Sequence, residues 1–154
     1  MLRYQLNPHF LCNTLNAINS LIECEFSEKA QKMTVQLSKF LRYSLDNNPD
    51  TKIALEFEIT ALNLYLEIEK TRFGERLKLD FKISDEAKLA LIPSLLLQPI
   101  IENSMKHVIA KNEDGGTISL WADVIDEMLV LELSDTGSGT RVDGNKMKGK
   151  ASRG

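Results

Sequence analysis

The apolar residues of this chain change their spacing midway along it, and that change limits the fold more than any other feature. Up to about residue 73 they recur at helical intervals. In "RLKLDFKIS" they alternate instead, through Leu77, Leu79, Phe81 and Ile83, as a half-buried strand requires. A helical pattern resumes near Pro93 in "IPSLLLQPIIENSMKHVIA", where Pro99 is expected to kink it. Two further alternating runs, "GTISLWADV" and "EMLVLELSD", meet in a tight connection around Asp126. Helices alone, followed by strand–helix–strand–strand, predict an α+β chain of two modules with a boundary between Asn47 and Arg76.

The helical half divides further. Tyr4, Leu11 and Ile18 recur with a heptad spacing, and so do Met1, Pro8, Leu15 and Ile22, which together make a seam for another helix. On that wheel His9 falls outward with Asn13 and Asn16, away from the seam. Pro8 either kinks this helix or begins it with Asn7 as N-cap; the seam residues ahead of the proline favour a kinked continuous helix. Leu2, Leu6 and Phe10 form an apolar line beside His9 that the seam does not explain and that is expected to serve as a docking surface. A second helix is expected from an N-cap at Ser27 to about Asp46, with Ala30, Met33, Leu37, Phe40, Leu41 and Leu45 inward. "DNNPD" breaks it, and a third runs over roughly 54–72 with Leu55, Ile59, Leu62, Leu66 and Phe73 at helical intervals and Tyr65 beside them. The short connections suit antiparallel neighbours.

At 154 residues there is room for one ordinary domain or for a helical module plus a compact α/β unit. A formal net charge of −3 offers no basic footprint for nucleic acid. No apolar run is long enough to span a bilayer, and no signal peptide stands at the start. Cys12 and Cys24 have neither CxxC nor zinc spacing and read as reduced thiols of a cytosolic protein, a disulfide being the alternative. The last stretch, "RVDGNKMKGKASRG", sets five basic side chains against Asp143 alone, and residues 141–154 are expected to lack packed structure, like a cut end.

Three clusters carry candidate chemistry. His9 and Asn13 lie one helical turn apart on one face; a neutral, exposed imidazole is a good nucleophile near pH 7, and a carboxamide beside it can orient a water or a phosphoryl oxygen. In "IIENSMKH", Asn103 and His107 share a face and Glu102 with Lys106 forms the adjacent stripe. Amide and carboxylate oxygens suit Mg²⁺ and its waters, and Lys106 and His107 suit phosphates. In "LELSDTGSG" a strand ends in Asp135, whose carboxylate can accept from an exocyclic amine such as that of adenine, and Gly137 and Gly139 let the backbone approach a ligand. Singly, each has an ordinary explanation as a solvated surface or a turn. Neither a P-loop nor a strand–GxGxxG–helix is present.

Their order is more informative than any one of them. "YQLNPHFLCNTLNAI" resembles the "QxNPHFxxNxLN" box of the LytS-like sensor histidine kinases, with Cys12 where that group commonly has phenylalanine. "LSKFLRYSL", "YLEIEKTRFGERL" and "IPSLLLQPIIENSMKH" resemble the next three blocks in order, and "DTGSG" the first glycine box, so the likeness covers about residues 2–139. It implies a helical dimerisation and phosphoacceptor module over 1–50, a connecting helix over 51–75 and, over 76–140, part of a Bergerat-type α/β sandwich that binds ATP. In that family His9 would be the phosphoacceptor, later passing its phosphoryl group to an aspartate on the receiver domain of a response regulator. Asn103 would hold Mg²⁺ against the phosphates, with Lys106 and His107 as phosphate neighbours. Asp135 would bind the adenine amine, with Gly137 and Gly139 shaping the pocket floor. Asn13 matches a polar position implicated in phosphatase activity.

The likeness has gaps. Many histidine kinases place an acidic residue directly after the acceptor histidine; here Phe10 stands there, leaving the base undetermined. The chain starts eight residues before His9 and ends before the second glycine box and the ATP lid, so it is expected to be a fragment lacking both ends. The parent would be a membrane-anchored homodimer with this region in the cytoplasm. Tyr65, Arg72 and Phe73 are expected to tie the modules together rather than perform chemistry. Two classes stay open: an ATP-dependent protein histidine kinase, and an interaction or dimerisation module that keeps the scaffold without a complete nucleotide site.

Overall fold

The computed structural model describes residues 7–46, 50–109 and 111–136. The first helix, α1, is Pro8–Glu23, and it begins at the proline instead of continuing through it. Asn7 is extended (φ −71°, ψ 108°), and its side-chain oxygen accepts the backbone N–H of His9 at 3.0 Å and of Phe10 at 3.4 Å. A proline in the first turn has no N–H to leave unsatisfied and its φ is already helical, so capping replaces the expected kink. The seam residues Met1 and Tyr4 lie outside the described residues, as do Leu2 and Leu6. Of the remainder, Ile18 is buried and Leu11 half-buried, whereas Leu15 and Ile22 are 56% and 58% exposed.

Phe10 is not a docking residue. Its ring is buried against Phe40 (5.4 Å between centroids) and Tyr65 (4.8 Å), joining α1 to the next two helices. Thr14, one turn on, is also buried, and its hydroxyl donates to the Phe10 carbonyl at 2.8 Å, so no polar atom is stranded there. The end of α1 is closed by bonds from Glu25 N to Ile22 O and from Phe26 N to Leu21 O, with Glu25 left-handed at φ 62°.

Helix α2 is Ser27–Asp46, and Ala30, Met33, Leu37, Phe40 and Ser44 face inward. Leu45, expected on that stripe, is 72% exposed, because the stripe drifts round to Ser44 in the last turn. Helix α3, Leu55–Phe73, stops where Gly74 turns the chain at φ 60°. Before it, β1 (Lys52–Ala54) pairs antiparallel with a second three-residue strand, Leu91–Pro93. The latter is β3, since β2 is Leu77–Ile83, and the five-residue α4, Asp85–Leu89, lies between them, capped by the Ser84 hydroxyl.

Pro93 therefore ends a strand rather than starting a helix. A turn with Leu95 at φ 63° leads to α5, Gln98–Ser104, and Pro99 sits in its first turn, where it initiates the helix without kinking it. A π-helical turn, Met105–Ile109, follows. Strands β4 (Gly116–Ile125) and β5 (Met128–Asp135) form a hairpin whose two linking residues, Asp126 and Glu127, both have positive φ (52° and 64°), the twist that a two-residue hairpin demands. The larger sheet has the order β2-β4-β5, with β2 parallel to β4 and β5 antiparallel to it. Buried side chains from Phe10 on α1 to Leu133 on β5 belong to one hydrophobic cluster.

Candidate functional site

A cavity of about 280 Å³ opens where α1, α3 and α5 meet. Helix α1 contributes His9, Phe10 and Asn13, with Asn7 at its cap; α3 contributes Tyr65, Glu69, Arg72 and Phe73; Glu102, Met105 and Lys106 come from α5 and the π turn. The N-cap holds His9 in the first turn of its helix, with the side chain exposed, as its wheel position requires. Asn13 Nδ2 lies 3.1 Å from His9 Nδ1 and donates to it, an i to i+4 contact. The amide thus fixes the ring's orientation.

Across the cavity, Glu69 is 4% exposed. Its Oε1 accepts from Arg72 Nη1 at 2.8 Å, and its Oε2 accepts from the Tyr65 hydroxyl at 3.4 Å. Burial pushes its carboxyl above the ordinary carboxylate range; Arg72, Tyr65 and the charge of His9 pull in the opposite sense without cancelling it. Arg72 also lies over the Phe73 ring at 4.9 Å.

Two of the three clusters read in the sequence are partly brought together. Glu102 and Lys106 join His9 and Asn13 around the cavity, while Asn103 and His107 are exposed and do not line it. Asp135 ends β5 opposite Ile118, half-buried, and does not line it either. Gly137, Gly139 and residues 141–154 lie outside the described residues. Among the described residues no group of three His, Cys, Asp or Glu side chains is gathered as a metal site, and no helix is long and apolar enough to cross a membrane. Sequence reading missed Glu69. The available signal was its position: Glu58, Leu62, Tyr65 and Glu69 all fall on the buried stripe of α3, where a carboxylate needs a reason to be.

The family model described as Histidine kinase matches residues 1–77. The chain is 32% identical over 142 residues to Sensor protein LytS of Staphylococcus epidermidis, covering 92% of this chain and 24% of that protein. It is 38% identical over 135 residues to Sensor histidine kinase BtsS of Escherichia coli, covering 88% of this chain and 24% of that one. Among solved structures, a blue-light activated histidine kinase of Erythrobacter litoralis overlaps 97% of this chain and 57% of its own, with 15% identity and a TM-score of 0.41. The chain belongs to the histidine kinase family, in its LytS-like group. It spans about a quarter of the length of these curated relatives.

Proposed function

We propose that this chain carries the phosphoacceptor, and part of the nucleotide-binding region, of a two-component sensor histidine kinase. His9 takes the γ-phosphoryl group of ATP and later yields it to an aspartate on the receiver domain of a response regulator. The observation that carries this reading is an exposed imidazole, oriented by Asn13, at the edge of a cavity that also holds the ammonium-bearing Lys106. An acceptor nucleophile needs access, a fixed orientation and positive charge near the incoming phosphates, and these three residues offer all of them.

The nucleotide is assigned to residues on the α5 side and to the end of β5, in a partial Bergerat-type domain over 76–140 that follows the helical module of 1–50 and the connecting helix of 51–75. Asn103, exposed on α5, presents a hard carboxamide oxygen suited to Mg²⁺, whose contribution is to neutralise charge between the phosphates. Lys106 and the exposed His107 supply phosphate contacts, Asp135 accepts from the adenine amine, and Gly137 and Gly139 shape the pocket floor. Asn13, beside the acceptor, is also placed to orient the water that removes the phosphoryl group. Leu15, Ile22, Phe26 and Val35, each about half exposed on α1 and α2 or the turn between them, support a homodimer packed through these helices. The parent protein is proposed to be membrane-anchored, with this region cytoplasmic.

Incubation with γ-labelled ATP and Mg²⁺ tests the reading. The expected product is an acid-labile, alkali-stable label that is present in the wild type and lost in His9→Gln and in Asp135→Ala. Label that persists in His9→Gln would refute His9 as acceptor. A chain that never labels yet dimerises would instead be an interaction module.

A further inference from the structure

An imidazole that captures a phosphoryl group remains cationic until its second nitrogen gives up a proton, so a proton acceptor must lie near His9. The neighbouring residue cannot serve, because Phe10 is apolar and packed into the aromatic cluster. We propose that Glu69 is that acceptor, taking the imidazole proton across the cavity that both side chains line; this rests on the phosphoacceptor reading above.

Three observations support it. Glu69 is an almost fully buried carboxylate in a cavity that also holds the exposed ring of His9, and it comes from a different helix. Arg72 holds Oε1 tightly, while Oε2 carries only the looser contact from Tyr65, which leaves that oxygen the better placed to take a proton. Burial raises the affinity of the Glu69 carboxyl for a proton, which Arg72 only partly offsets, and His9 is close enough to act on that charge as well. A cavity of about 280 Å³ has room for the single water that such a transfer can use. Among the described residues, the other charged groups that line this cavity are Arg72 on α3 and Glu102 and Lys106 from the α5 side.

The step balances as follows. One ring nitrogen of His9 forms a bond to the γ-phosphorus as the bond from that phosphorus to the bridging oxygen breaks, and ADP leaves with the electron pair. The proton on the other ring nitrogen passes to the Glu69 carboxylate. A phosphohistidine whose ring is uncharged, with the negative charge on its phosphoryl oxygens, and a neutral carboxylic acid result, and the acid returns its proton to solvent.

Two measurements on the whole chain test this. In the first, the Glu69 carboxyl is titrated by carbon NMR in wild type and in His9→Gln; its midpoint should rise when the His9 ring is removed, and an unchanged midpoint would overturn the proposal. In the second, labelling from γ-labelled ATP and Mg²⁺ is followed against pH. Glu69→Gln should slow it at least roughly a hundredfold and leave only the acid limb that protonation of the imidazole nucleophile itself imposes, with Glu69→Asp restoring part of the rate and of the lost limb. A Glu69→Gln rate within about twofold of wild type, on label confined to His9, overturns this proposal alone. Label that survives in His9→Gln overturns the phosphoacceptor reading, and the proposal with it. Should Glu69→Gln not fold, the titration and the wild-type profile still decide: a profile without an acid limb in the range of the Glu69 midpoint overturns the proposal.

Discussion

The ring of His9 has two nitrogens, and the contact with Asn13 determines which one can act. With Nδ2 donating to Nδ1, a neutral ring carries its proton on Nε2; if the amide presents its oxygen instead, the proton sits on Nδ1 and the Nε2 lone pair is free. Asn13 can therefore select the tautomer as well as the orientation. Asn13→Ala is expected to slow labelling of His9 roughly tenfold, about one hydrogen bond's worth of orientation, with little effect on stability because the contact is exposed. Labelling kinetics beside a urea titration checks both halves of that expectation. The pairing of His9 with Asn13 was legible because helical spacing alone brings i and i+4 together. Glu69 was not, since nothing local to "YLEIEKTRF" says that its buried face meets the first turn of α1. That neighbour depends on Phe10, Phe40 and Tyr65 packing together, a three-helix contact that no periodicity within one segment encodes.

Among the elements, a second buried carboxylate does structural work. Glu58, 1% exposed in α3, accepts the N–H of Leu95 at 3.2 Å and of Leu97 at 3.0 Å, and also the Tyr43 hydroxyl of α2. It thus pins the left-handed turn before α5 to two helices at once. Burial and this carboxylate hold the Tyr43 phenol well above its ordinary range, so it stays a donor. Glu58→Ala should cost roughly 3 kcal/mol in urea unfolding, since two backbone donors lose their acceptor, while Tyr43→Phe should cost about 1 kcal/mol. Gly115 plays a comparable part where the chain enters β4. A Cβ there would stand 2.0 Å from the Arg76 carbonyl oxygen, and its φ of +73° suits glycine. Gly115→Ala is expected to destabilise by more than about 2 kcal/mol in the same assay. The long elements, α1 to α3 and β2, β4 and β5, were readable because each repeats its period several times. β1, β3 and α4 were not, since three to five residues hold no full period and these elements form through partners distant in sequence. Pro93 and Pro99 show the same limit: the pattern around them is helical, but the β1 edge claims Leu91–Pro93 first.

For the molecule as a whole, the Glu69 carboxyl gives stability an unusual dependence on pH. A carboxylate that gains a cationic partner on folding normally has a depressed pKa and stabilises the fold above the ordinary carboxylate range. Glu69 is opposite in sign: burial outweighs Arg72, so the folded chain holds this proton more tightly than the unfolded chain does. Its contribution is then fully present below the ordinary carboxylate pKa and is lost as pH rises through the elevated folded value. Urea unfolding of wild type and Glu69→Gln across that window isolates the effect. The glutamine variant shifts stability by a constant amount through the lost Arg72 pair, and only the slope of the difference reports the proton. Wild type should lose ground steadily against Glu69→Gln from the ordinary carboxylate pKa upward, and level off once the folded carboxyl is ionised. Removing the ring in His9→Gln takes away one of the influences that lower the Glu69 pKa, so the levelling point should move to higher pH. A flat difference across the window would mean that the folded carboxyl titrates in its ordinary range. Arg72 rather than burial would then set its charge, and the cavity would hold a permanent carboxylate instead of one poised to change its proton.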